Sequence, residues 1–244
     1  MPDADITYRR DGDTLRGYAA WPDAPAPVPG LVLIPDVRGL SEHYRCVARR
    51  FAGQGFFTLA VDLYSREGAP VLADMDAVFR WIQSLPDPRV LADLSVAIET
   101  VAARPEVLGR AVGITGFCLG GQYALMAACT VPRVAACVSW YGMLRYRETN
   151  ERKPESPLSM APRLGCPYLG LFGADDGLIP GADVEELRGI LTQARKSFEI
   201  VSYPGAGHAF FNDARPDAYR PDAAADAWPR ATAFLRRHLE GTRP

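Results

Sequence analysis

Three side-chain types that can together cleave a carbonyl compound stand in this chain at the ends of apolar runs. The first is Cys118, in Gly116-Phe117-Cys118-Leu119-Gly120-Gly121. This is the G-x-S-x-G pattern with cysteine in place of serine, preceded by a strand-like run and followed by a small-residue run of helical character. A turn that tight strains the nucleophile's backbone, and side chains at the flanking positions would collide with the neighbouring strand and helix, hence glycine. The thiol then sits at the carboxyl edge of a sheet, where open α/β folds bind ligands, and the Leu119 N–H at the new helix terminus points where an oxyanion would form. Free cysteine is also among the most buried residue types, and Cys129 and Cys137 read as packing residues of that kind.

A thiol nucleophile needs a base, and the base an orienting carboxylate. Of three histidines, His238 lies among charges in "FLRRHLE" and reads as solvated, and His43 in "LSEHYR" reads as a surface residue at the start of a helix. His208, in "YPGAGHAFFND", follows a strand in a glycine-bracketed turn, the place for a base. The strand end "LFGADDGLIP" supplies two carboxylates, Asp175 and Asp176.

These residues must be positioned by a sheet. Apolar runs at 30–37, 56–64, 111–117, 134–142, 168–174 and 197–205 read as strands, several of them apolar nearly throughout, as strands covered on both faces are. An alternating pair, "ITYRR" and "LRGYAAWP", predicts an antiparallel edge hairpin. Helical patterns occupy 41–55, 87–104, 182–195 and 223–240, with Asp87 read as an N-cap, Pro88 as the first helical residue and Pro229 as a kink. This alternation predicts one α/β domain over 1–244, a doubly wound, mostly parallel sheet flanked by helices.

Composition excludes other classes. With 27 Lys and Arg against 29 Asp and Glu the net charge is −2, which gives no pull toward nucleic acid or anionic membrane. Five scattered cysteines suggest neither a disulfide framework nor a metal site. The polar N-terminus and the lack of an apolar stretch of roughly 18 residues predict a cytoplasmic protein without a membrane span. Expected are no cofactor, no metal, a small-molecule substrate, and a monomer or homodimer.

Over nearly its whole length the chain resembles the dienelactone hydrolase family of α/β-hydrolases. The likeness is carried by "LVLIPDVRGL" (31–40), "FFTLAVDLYSR" (56–66), "GITGFCLGGQYAL" (113–125), "SWYG" (139–142), "LFGADDGLIP" (171–180) and "YPGAGHAFFN" (203–212). The order nucleophile, acid, base is that of α/β-hydrolases. The resemblance implies Cys118 as nucleophile, selects Asp176 over Asp175 as acid, and implies His208 as base. It implies that Asp36, where the family usually has glutamate, holds the resting thiol, and that Val37 donates the second oxyanion-hole N–H beside Leu119. Asp36 also reads as a loop-capping aspartate before "RGL".

The family's substrate is a lactone bearing a carboxylate, gripped by arginines. One of those positions is Asn212 here, and the segment "EGAPVLADMDAV" carries none. Arg38, Arg66, Arg145 and Arg147 are the substitutes to consider. Arg38, Tyr64, Tyr141, Phe210 and Asn212 form the expected substrate-binding set, and Trp140 reads as core. The expected activity is hydrolysis of a small lactone or ester through an acyl-thioester. A non-hydrolytic binding or regulatory protein, or an acyl transferase to an acceptor other than water, are the alternatives.

Overall fold

The structure, a computed structural model, describes residues 1–240; residues 241–244 of the expected domain lie outside the described residues. The expected edge hairpin is present. Strands β1 (Asp3–Arg10) and β2 (Asp13–Ala20) pair antiparallel, joined at Asp11 and Gly12, which both have positive φ. Such a turn matches the right-handed strand twist. The burial of β1 alternates, as an edge strand's does.

The remaining strands are β3 (Val28–Ile34), β4 (Phe57–Val61), β5 (Val107–Phe117), β6 (Val134–Trp140), β7 (Tyr168–Gly173) and β8 (Phe198–Tyr203). All eight join one sheet in the order β1-β2-β4-β3-β5-β6-β7-β8, parallel from β4 to β8. β4 and β7 are buried along their whole length, because helices cover both faces of the sheet. This is the doubly wound, mostly parallel architecture that the strand–helix alternation predicts.

The helices are α1 (Glu42–Gly53), α2 (Met75–Ser84), α3 (Asp87–Ala102), α4 (Leu119–Thr130), the single turn α5 (Pro157–Met160), α6 (Gly181–Gln193) and α7 (Pro221–Leu239). α2 has no counterpart in the sequence reading. It buries only Ile82, so it prints little core pattern on the chain, although Asp74 caps it through the Ala77 N–H at 2.7 Å. α3 corrects another detail: Pro86 is its cap, Asp87 is its first residue, and the Asp87 side chain is buried. α7 continues unbroken across Pro229. No helix among the described residues is long and apolar enough to cross a membrane.

Register decides what meets at the sheet's carboxyl edge. Ile34 pairs with Gly116 and Phe117 with Trp140. The chain leaves β3 toward β4 and returns to β5 on the other side of β3, which makes the β3/β5 boundary the point where strand order reverses. Open α/β sheets bind ligands at such a point. Asp36, Cys118 and Tyr141 follow β3, β5 and β6 there, and the loops after β7 and β8 bring Asp176 and His208.

Candidate active site

Cys118 sits alone between the last residue of β5 and the first of α4, at φ 55° and ψ −116°. That conformation is unfavourable for any residue with a Cβ and costs about 1–3 kcal/mol. It is held by the Cys118 N–H donating to the Trp140 carbonyl at 2.9 Å and by the Gln122 N–H donating to the Cys118 carbonyl at 3.1 Å. A Cβ on Gly116 would lie 2.0 Å from the Gly120 carbonyl oxygen, and one on Gly120 only 2.1 Å from that of Ile34. The glycines therefore admit the helix against its own strand and press the elbow onto the end of β3.

Among the described residues, positive φ at non-glycine residues occurs at five positions, and three of them surround this spot: Cys118, Tyr141 and Ala209, the residue after His208. The other two, Asp11 and Arg195, lie in turns away from it. Strain of this kind persists where the surroundings over-determine it, and it gathers at functional sites.

Asp176 and His208 meet. The Asp176 side chain is fully buried; its Oδ1 accepts the Leu178 N–H at 2.8 Å and its Oδ2 lies 2.8 Å from Nδ1 of His208. Asp175 is exposed and ties the two loops only through its backbone, donating to the Ala206 carbonyl at 2.9 Å. The other ring nitrogen, Nε2 of His208, is buried without a hydrogen-bond partner and faces Cys118. Burial opposes charge on this imidazole, yet the Cys118 sulfur and the Asp176 carboxylate outweigh it and push the ring up to about 10. A proton arriving from Cys118 is therefore held firmly by this histidine.

The thiols differ as their surroundings do. Burial pushes Cys137 well up and Cys129 to about 12, the behaviour of inert packing residues; Cys118, partly exposed like Cys129, differs by its place on the elbow facing His208. Beneath the elbow, Phe117 stacks on Trp140 at 5.1 Å and on Phe211 at 5.6 Å, a rigid floor that includes Trp140 as core.

The loop after β3 is a tight turn. The Gly39 N–H donates to the Asp36 carbonyl at 3.0 Å, and Asp36 Oδ1 accepts the Arg38 N–H at 2.8 Å. Asp36 thus caps its own loop and is buried beside Cys118 and Tyr44. The Val37 N–H has no acceptor among the described residues, and its carbonyl accepts the Tyr64 hydroxyl at 2.8 Å. Leu119 occupies the first turn of α4, where an N–H has no intrahelical acceptor. Two free amides on abutting segments suit an oxygen anion.

Several expected ligand groups are engaged elsewhere. Tyr64 is buried with its hydroxyl on Val37; Phe210 is buried behind Tyr141 at 5.3 Å; buried Asn212 accepts the Ala214 N–H at 3.1 Å and so builds the base loop. Arg66 pairs with Asp93 and Asp13, and Arg145 with Asp183 and Glu186. Arg38 is exposed and lines a separate cleft with Arg16 and Arg45. Tyr141 is buried, with its hydroxyl unpartnered beside Cys118 and its ring 5.3 Å from that of His208. His43 is not a surface residue: its ring is buried, with Nδ1 3.2 Å from Asp213.

Two features escaped the sequence reading. Tyr44, on the buried face of α1, brings its hydroxyl to the same place. A groove of about 570 Å³ is walled by Phe79 and Arg80 of α2, by Met143 and Arg147 after β6, and by Gly177 and Leu178 next to Asp176. Arg80 and Arg147 are exposed there and form no ion pair among the described residues. An arginine on a helix with so little core pattern had no sequence signal.

Comparison with known proteins gives the family and the fold. The profile of the "Dienelactone hydrolase family" matches residues 15–239. A Bradyrhizobium protein named "Probable 2-oxo-3-(5-oxofuran-2-ylidene)propanoate lactonase" is 35% identical over 233 residues, covering 96% of this chain and 93% of its own length. A Salmonella typhimurium "Putative carboxymethylenebutenolidase" is 38% identical over 230 residues, 93% of this chain and 84% of that one. The crystal structure of a "Putative Dienelactone Hydrolase" from Klebsiella pneumoniae superposes with a TM-score of 0.91 at 35% identity, covering 97% and 98% of the two chains. With the elbow, the strand order and a match spanning almost every described residue, the chain belongs to the dienelactone hydrolase family of lactone and ester hydrolases.

Proposed function

We propose that the protein hydrolyses a small lactone or carboxylic ester with Cys118 as the nucleophile, His208 as the base and Asp176 as the acid that orients it. The observation that carries this reading is the pairing of a strained, half-exposed Cys118 with a histidine whose far nitrogen is fixed by Asp176 at 2.8 Å and whose near nitrogen has no other partner.

The steps follow from these positions. As the sulfur–carbon bond forms, the thiol proton passes to Nε2 of His208 and the carbonyl electrons move onto oxygen. That oxygen is received by the N–H groups of Val37 and Leu119, and Tyr64 ties down the loop by donating to the Val37 carbonyl, in the next peptide. One such donor is typically worth ~10²–10³ in rate. Collapse breaks the carbon–oxygen bond, the departing oxygen takes the proton from Nε2, and an acyl-thioester remains on Cys118. Nε2 then deprotonates a water, which attacks the thioester and releases the acid and the thiol. A lactone's leaving oxygen stays tethered in the product.

The test is to mix the enzyme with p-nitrophenyl acetate and quench it within the first turnover. A p-nitrophenolate burst stoichiometric with enzyme is expected, with one acetyl group on the peptide that contains Cys118. Acetyl on another residue, or turnover undiminished in Cys118→Ala, would refute the mechanism.

The groove supports a substrate with an anionic group. Arg80 and Arg147 form no ion pair among the described residues, and of the two carboxylates that share the groove Asp183 is held by Arg145 and Asp76 is exposed, so the arginines can take a carboxylate from a ligand. The lactone in the Bradyrhizobium relative's name likewise carries a carboxylate, as a propanoate. Arg80→Ala combined with Arg147→Ala is expected to raise KM about tenfold for lactones bearing a carboxylate, the typical worth of one charge-assisted contact. KM for uncharged lactones should not change. Equal effects on both sets would show that the arginines do not select for charge.

A further inference from the structure

Buried polar atoms without hydrogen-bond partners are rare in folded proteins, and each leaves a polar group desolvated for no return unless something else uses it. Here three of them, Tyr44 Oη, Tyr141 Oη and His208 Nε2, face the sulfur of Cys118. The His208 atom serves the mechanism above, and Tyr141 is the residue next to the β6 edge. Tyr44 comes from the opposite side, on α1, and has no role yet.

The Tyr44 ring is held in place, 5.5 Å from Phe117 and 4.8 Å from His43, and is 1% exposed. Its hydroxyl faces the Asp36 carboxylate, Tyr141 and Cys118, close to Asp36 but outside hydrogen-bonding geometry. Asp36 itself is committed: Oδ1 takes the Arg38 N–H, and Oδ2 lies 3.9 Å from the Arg38 guanidinium. Burial first, and Asp36 second, hold the phenol well above its ordinary range, so it stays a donor across neutral pH. It is a donor that faces two acceptors, the Asp36 carboxylate and, once it carries charge, the Cys118 sulfur.

We propose that Tyr44 is a positioning residue for Cys118, its hydroxyl donating to the Asp36 carboxylate while Cys118 is a thiol and turning to the sulfur once the proton has moved to His208. The exchange offsets the repulsion that two neighbouring anions, Asp36 and the thiolate, would otherwise suffer. It supplies the reach that an aspartate bound to its own loop lacks. The inference rests on the reading of Cys118 as nucleophile. The groups around that sulfur are Asp36 after β3, Tyr44 on α1, Tyr64 after β4, Tyr141 after β6, Asp176 after β7 and His208 after β8, with Arg38 and Arg215 at the margin.

The measurement is the rate of alkylation by iodoacetamide, followed by mass spectrometry at the Cys118 peptide from pH 5 to 10. Tyr44→Phe removes only the hydroxyl. It should slow alkylation at pH 7 by about 10- to 100-fold, the worth of one hydrogen bond to a charged group, and move the pH–rate profile to higher pH. Asp36→Asn keeps an acceptor for the Arg38 N–H and removes the competing charge, so alkylation should become faster. A Tyr44→Phe protein with the wild-type rate and profile, or an Asp36→Asn protein that alkylates more slowly, would overturn the proposal. A purely structural tyrosine would change the thermal midpoint and leave the profile where it was. If Cys118→Ala keeps full ester turnover, the nucleophile reading fails instead, whatever the Tyr44 variant does.

Discussion

Asp176→Asn is expected to lower kcat for an activated ester by about 10⁴-fold while the fold and its thermal midpoint stay close to wild type. The size is what loss of the correct histidine tautomer costs in a triad of this order of action. The reason lies in which oxygen does what. Oδ1 of Asp176 accepts the Leu178 N–H at 2.8 Å, so an asparagine keeps its amide oxygen at that position. Its NH₂ group then faces Nδ1 of His208, at the place where Oδ2 stands 2.8 Å away. A donor there makes Nδ1 the acceptor and moves the ring proton to Nε2, the nitrogen that faces Cys118. A base whose near nitrogen already carries its proton cannot receive another from the thiol without charging a buried ring.

The charge balance acts in the same direction. Burial works against the His208 cation, and the ring is pushed up to about 10 only because Cys118 and Asp176 outweigh it. Removing the Asp176 anion lowers the ring's proton affinity, so the imidazolium that protonates the leaving oxygen is lost at lower pH. The alkaline limb of the rate profile should therefore move toward neutrality in the variant. Stopped-flow kinetics from pH 6 to 10, with circular dichroism as the fold control, reads both effects. A loss under tenfold with an unmoved limb would mean that His208 is oriented by something other than Asp176.

How far these residues were legible in the sequence depends on whether their signals are local. The elbow is local: glycines at 116 and 120 are dictated by contacts of 2.0 and 2.1 Å within a few residues of the turn and against the adjoining strand. The strand runs are legible for a similar reason, since burial on both faces forces continuous apolar stretches. The acid and the base each close such a run, so strand ends plus chain order point to His208 and to the pair Asp175 and Asp176, between which only the family resemblance chooses Asp176. Tyr44 is different, because helical spacing explains it fully as a core residue, and only the meeting of α1 with the loop after β3 gives its hydroxyl a neighbour. Arg80 lies on a helix that buries one side chain, and such a helix writes almost no periodic pattern.

Asp87 shows how local reading misleads. Asp-Pro at a helix start is good capping chemistry, and cap assignment needs nothing beyond neighbouring residues. The partner that overrides it is Lys153, 66 residues away in "NERKPES". Both side chains are buried, at 0% and 1% exposure, with Nζ 2.6 Å from Oδ1. No local pattern announces a buried charge whose counterion lies so far along the chain.

That pair carries the second large expectation: Lys153→Met should destabilise the protein by about 3–5 kcal/mol, because breaking a buried ion pair on one side leaves the other charge without compensation. The remaining partners of Asp87 are the Tyr123 hydroxyl at 2.8 Å on Oδ1 and the Tyr146 hydroxyl at 2.7 Å on Oδ2, and Tyr146 is in turn held by Gln122 Nε2 at 2.6 Å. Both phenols stay protonated, burial first and Asp87 second raising them far above the ordinary range, so neither can neutralise the carboxylate. Lys153 alone supplies positive charge, although burial lowers its own proton affinity against the pull of Asp87. At about 2–4 °C per kcal/mol for a chain of this length, the thermal midpoint should fall by roughly 6–20 °C. Asp87→Asn added to Lys153→Met removes the stranded charge while keeping an acceptor for the phenols, and most of the loss should return. The network clamps the segment carrying Tyr146 and Arg147 against α4, whose first five residues include Leu119, Gln122 and Tyr123. The single variant should therefore also raise KM for carboxylate-bearing lactones before it lowers kcat. A Lys153→Met protein within about 1 kcal/mol of wild type would show that the Asp87 carboxylate takes up a proton instead of remaining a buried anion.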